Sequence, residues 1–94
     1  MAEQTFRVTK DANAVLDYTL DWSQWLTPGD DLATSTWTTT TGLVADSDVL
    51  EADNTTTVWL SGGTAGQTYV ATNRITTTGG RTEDRSITVF VTER

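Results

Sequence analysis

Val15-Leu16-Asp17-Tyr18-Thr19-Leu20-Asp21-Trp22 (VLDYTLDW) decides the fold class. Leu16, Tyr18, Leu20 and Trp22 fall on one side of an extended backbone, and Val15, Asp17, Thr19 and Asp21 on the other. Apolar residues at every second position over eight residues describe a strand with one buried face, not a helix. Working towards the N-terminus, Lys10-Asp11-Ala12-Asn13 is polar and breaks the pattern, and Thr5–Thr9 (TFRVT) places Phe6 and Val8 on one side of a short strand. Working towards the C-terminus, Ser23-Gln24-Trp25-Leu26 turns. In Thr27-Pro28-Gly29-Asp30 proline presets φ and glycine admits positive φ, so this too is a turn. Leu32–Thr39 resumes alternation with Ala33, Ser35 and Trp37 on one side. Gly42–Asn54 is expected to be loop, with a weak strand around Val49–Ala52.

Beyond it, Thr56–Ser61 sets Val58 and Leu60 against Trp59, and Gly62–Gln67 reads as a corner. Tyr69–Thr77 groups Tyr69, Ala71, Asn73 and Ile75 on one face, and Thr78-Gly79-Gly80-Arg81 is a hairpin connection. Arg85–Val91 points Ile87, Val89 and Val91 inward and Phe90 outward. No stretch has a helical period. About seven short strands with a turn signal roughly every ten residues predict an all-β sandwich spanning residues 1–94 as one domain. Its expected core is Phe6, Val8, Leu16, Tyr18, Leu20, Trp37, Val58, Leu60, Tyr69, Ile75, Ile87, Val89 and Val91.

Composition agrees and excludes several functions. The 94 residues (10.2 kDa) are 36% hydrophobic and 20% charged, with mean hydropathy −0.34. Threonine occurs 22 times; it is β-branched and suits a half-exposed pleated surface. A mucin-like stalk would lack the apolar alternation. No run approaches the roughly 18 apolar residues of a membrane span, and Met1–Arg7 has no apolar stretch of the kind a signal peptide carries. Thirteen acids against six bases give −7 and a pI near 4.1, the wrong sign for nucleic acid or an anionic membrane. Cysteine and histidine are both absent, which removes disulfides, thiolates, His-based triads and the commonest zinc and haem ligands. The expectation is a non-enzymatic protein without a cofactor. A cysteine-free domain of this size gains from an assembly that holds it in place.

Few residues carry candidate chemistry. Asp46, Asp48, Glu51 and Asp53 put four carboxylates within eight residues, and hard oxygen ligands suit Ca²⁺. The spacing and the missing mid-loop glycine are not those of an EF-hand, and a solvated acidic loop is the plainer expectation. Asp30-Asp31 is expected to cap backbone N–H groups in its turn. Glu83 and Asp84 are expected to pair with Arg74 across strands, and an intersubunit salt bridge through Arg74 is the functional alternative. Paired carboxylates also serve glycoside hydrolysis, but a sandwich this small barely has room for a sugar cleft. Four tryptophans are more than alternation can bury. Trp37 is assigned to the core, whereas Trp59 and Phe90 point outward and Trp25 sits in a turn. Exposed aromatics are enriched at protein interfaces, so Trp25, Trp59, Arg74 and Phe90 are the interface candidates.

Two features resemble the immunoglobulin-like sandwich. Trp37 lies in the third strand, and Gly62–Tyr69 looks like the E–F corner with Tyr69 as its tyrosine. Without paired cysteines, the resemblance is to the disulfide-free bacterial and phage branch. Val15–Trp25, Ser35-Thr36-Trp37, Val58–Gly66 and Thr72–Arg81 together resemble small stand-alone proteins encoded among the virion genes of tailed bacteriophages and prophages, over about residues 8–92. That resemblance implies a virion protein made in the reducing host cytoplasm. The leading expectation is a capsid decoration or cement protein bound to the major capsid protein, with self-association as a further option. The alternatives are a head–tail junction or tail accessory protein, and a carbohydrate or host-surface binding module that stacks sugars on Trp25 and Trp59.

Overall fold

A computed structural model describes residues 4–93. Among them the chain forms seven strands: β1 (Gln4–Asp11), β2 (Leu16–Asp21), β3 (Leu32–Thr39), β4 (Leu43–Leu50), β5 (Thr55–Gly62), β6 (Thr68–Thr77) and β7 (Thr82–Thr92). One sheet has the order β1-β7-β6-β3 and the other β2-β5-β4, the arrangement of an immunoglobulin-like sandwich. Every pairing is antiparallel except β1 with β7, which run parallel from Gln4 beside Arg85 to Asp11 beside Thr92. The molecule measures 44 × 24 × 19 Å.

The alternation read from the sequence holds along β5, β6 and β7. Val58, Leu60, Tyr69, Ala71, Ile75, Ile87, Val89 and Val91 are buried between the sheets, with Leu20, Trp22, Leu32 and Leu43. Four corrections follow. Gly42–Asn54 is not a loop with a weak strand at Val49–Ala52; it holds the full strand β4, which ends at Leu50. A bulge between Ala45 and Ser47 leaves Asp46 unpaired, so the inward positions change from odd to even along the strand and the period-2 signal is broken. Second, Lys10 does not break the first strand. It is the last inward residue of β1, buried, with its ammonium donating to Gly62 O (2.8 Å) and Asp11 O (2.9 Å).

Third, Phe6 and Leu16 stand exposed instead of in the core, and Val8 and Tyr18 are half-buried. They belong to β1 and β2, the edge strands on the same side of the two sheets, and among the described residues no strand bridges that side. The sheets part there around a groove of about 500 Å³ lined by Phe6, Val8, Tyr18, Leu20 and Ile87 among others. Burial, with the charge of Asp17 nearby, lifts the Tyr18 hydroxyl above its ordinary phenol range. Fourth, Trp37 is only half-buried, and the central tryptophan is Trp22, fully buried just after β2.

Trp22 is fixed by a polar hub. Its indole N–H donates to Asn73 Oδ1 (3.0 Å), which also accepts from Thr56 Oγ1 (2.7 Å). Asn73 Nδ2 donates to Ser35 Oγ (2.9 Å) and Thr36 O (3.0 Å). All four hydrogen-bonding positions of this buried amide are used, and they tie β5 and the end of β2 in one sheet to β3 and β6 in the other. The far end is closed by the tyrosine corner anticipated above. The Thr64 N–H donates to the Tyr69 hydroxyl (2.8 Å). The ring lies so close to Gly42 that a Cβ there would meet it at 2.9 Å, and a Cβ on Gly63 would meet Val91 at 2.7 Å. Both glycines also have positive φ, so the corner admits no side chain at either.

Candidate functional site

The four carboxylates considered for Ca²⁺ do not converge. Asp46 sits at the bulge, Asp48 lies opposite Val58 in β4, and Asp53 accepts from the Thr55 hydroxyl at 2.7 Å. Glu51, Ala52 and Asp53 are exposed on the β4–β5 loop. Among the described residues no three His, Cys, Asp or Glu side chains form a metal-binding group.

Beyond the groove between β1 and β2, the broad surfaces of the molecule are the two outer sheet faces. On the β2-β5-β4 sheet, residues opposite one another in the register share a face. Trp59 stands with Asp17 on one side and Ser47 on the other. The adjoining rows are Thr19–Thr57–Val49 and Ser61–Val44. Trp59 is 41% exposed, and Val44 and Val49 are exposed beside it. Thr19 and Thr57 share a hydroxyl hydrogen bond of 2.8 Å. Hydrogen bonds from Ser23 hold Asp21 below the usual carboxylate range.

The outer face of the four-stranded sheet is a hydroxyl lattice. Thr34 and Thr36 of β3, Thr72 and Thr76 of β6, and Ser86 and Thr88 of β7 occupy its successive rows. Several are bonded in pairs across strands, Thr34 to Thr76 (2.6 Å) and Thr72 to Ser86 (3.0 Å). Thr36, Thr38, Thr72 and Arg74 surround a shallow depression of about 160 Å³. Phe90 is 38% exposed at one end of this face, opposite Thr68. Trp59 and Phe90 therefore lie on different sheets, one on each side of the sandwich.

The other two interface candidates are engaged within the fold. Arg74 makes a two-pronged pair with Asp84 of β7, 2.8 Å from Nε and 2.9 Å from Nη2, the cross-strand pairing expected from the sequence. The Arg74 guanidinium holds the Asp84 carboxyl below its ordinary range. Trp25 is half-buried instead of free in its turn: it meets Trp22 edge-on at 5.4 Å, and the Arg81 guanidinium lies 4.1 Å above its ring. Arg85 stacks on Trp22 in the same way and donates to Asp21 O (2.8 Å). Burial pushes the Arg85 guanidinium below its usual range. These stacks had no sequence signal, because they join residues some sixty positions apart.

One long-range property of the two sheets was legible only once the strand order was known. Arg7, Lys10, Arg74, Arg81 and Arg85 all belong to the four-stranded sheet or its β6–β7 hairpin. The strands of the other sheet carry Asp17, Asp21, Asp46 and Asp48 and no base.

Comparison with known proteins gives a family and a structural likeness. A family profile described as podophage GP4 fiber-tail adaptor protein gp77 matches residues 10–90. The solution structure of the PKD domain from KIAA 1837 protein is similar at 24% identity and TM-score 0.48, over 98% of this chain and 81% of that one. No curated protein matches.

Proposed function

The chain belongs to the Gp77 family of podophage fiber-tail adaptor proteins, and from that premise we propose that it is a non-enzymatic virion protein of the tail, joining fiber to tail. The match across residues 10–90 carries this reading. It favours the tail-accessory expectation over capsid decoration, and other virion proteins over the major capsid protein as partners. The geometry fits an adaptor in two respects. A joint must hold two neighbours at once, and this sandwich presents an aromatic anchor on each of two opposite faces, Trp59 and Phe90. It must also hold them at a fixed separation. Sheets pack about 10 Å apart, and the Asn73 hub and Tyr69 corner fasten the two sheets at both ends.

The experiment is to separate heads, tails and fibers from disrupted particles and follow the chain by quantitative mass spectrometry. It is expected in the tail and fiber fractions, and particles assembled without it should lack fibers. Recovery with tail-less heads, at the copy number of the capsid lattice, would return the decoration reading.

A further inference from the structure

Resting on the adaptor reading, we infer that the outer face of the β2-β5-β4 sheet docks a basic protein surface that receives Trp59 in an apolar recess. Two observations made on different residues converge on that partner. The first is apolar. Trp59 lies at the middle of β5 with Val44 and Val49 exposed on the neighbouring strand, a compact anchor of the kind that forms the core of an interface. Among the described residues Trp59 stacks on no cation or aromatic ring, unlike Trp22 and Trp25.

The second is the sign of everything around it. Asp17 stands beside Trp59 in the register and Asp21 lies further along the same face. Asp46 sits at the β4 bulge, and Glu51 and Asp53 follow on the loop. All are exposed, and no base lies on these three strands or on the β4–β5 loop. An acidic rim around an apolar centre speeds encounter with a basic surface and repels another acidic one. The opposite face is different in kind: four of its hydroxyls are paired across strands, the Arg74 charge is taken up by Asp84, and Arg7 stands exposed opposite Thr88. The acidic face therefore sorts the two partners of the joint by charge.

Two probes test this, purified tails assembled without the chain and purified fibers, each titrated with the chain and its variants at 50 and 500 mM salt. For one probe, Trp59→Ala should weaken binding at least about 30-fold. For the same probe Asp17→Lys should weaken binding and flatten its salt dependence, wild-type affinity should fall with salt, and Phe90→Ala should leave it unchanged. Matching melting midpoints show that the variants are folded. Wild-type binding that neither Trp59→Ala nor Asp17→Lys shifts more than twofold, or that strengthens with salt, overturns the docking face and leaves the adaptor reading standing. Self-association in sedimentation that Trp59→Ala abolishes would make a second copy the occupant and also overturn it. Wild-type chain that binds neither probe overturns both.

Discussion

Asn73 ties the two sheets together through one buried side chain. Its side chain joins Trp22, Thr56, Ser35 and the Thr36 carbonyl, and the buried Trp22 N–H and Thr56 hydroxyl would lose their partner if the amide were removed. A single buried donor or acceptor so stranded costs about 1–3 kcal/mol. Asn73→Ala is accordingly expected to lower stability by about 3 kcal/mol or more in urea denaturation; a loss below about 1 kcal/mol would mean that other contacts set the sheet spacing. Alternation in Tyr69–Thr77 places Asn73 inward, but nothing local says which tryptophan it meets. The sequence therefore favoured Trp37, the one in the expected strand, over Trp22. The outward direction of Trp59 and Phe90 was legible, because each sits between two inward apolar residues on its own strand.

At the level of elements, turns and hairpins read well and edges read poorly. Asp30 caps as its turn chemistry implied, but over a long distance. Its Oδ1 accepts from the Asp31 N–H (3.0 Å), the Gly79 N–H (2.9 Å) and the Thr78 hydroxyl (2.7 Å), tying the β2–β3 loop to the β6–β7 hairpin. The Thr78 hydrogen bond leads in holding this carboxyl below its ordinary range, as Ser23 does for Asp21 and Arg74 for Asp84. Groups with lowered folded-state values stabilise the fold above the unfolded carboxylate pKa of about 4 and lose that contribution as pH falls through the lower values. The urea midpoint should stay level from pH 7 to about 5 and drop below about 4, and Asp30→Asn should remove part of the drop. A midpoint that rises steadily below pH 4 would show that relief of the net negative charge outweighs these three sites. The element that escaped the sequence was β4, whose bulge at Asp46 reset the alternation. With β4 missing, neither the flank of Val44 and Val49 nor the one-signed charge of its sheet could be assembled.

For the whole molecule, the strand count and two-sheet class followed from periodicity, whereas the split of charge between the two sheets needed the strand order. The pairing of the first and last strands has a mechanical side. Because β1 and β7 run the same way, with Gln4 beside Arg85 and Asp11 beside Thr92, the two ends of the described chain leave from opposite ends of one ladder, about seven residues or 23 Å apart. Tension applied through those ends loads the rungs of that ladder together, in shear, so they do not peel away one after another. Stretched between its termini by atomic-force microscopy, the domain should give a single sharp rupture, and Val8→Pro, which deletes a backbone donor from β1, should lower the force at which it yields. A sandwich with this pairing meets a pull along its length with a whole ladder at once, and β1 is the latch on which that load falls first.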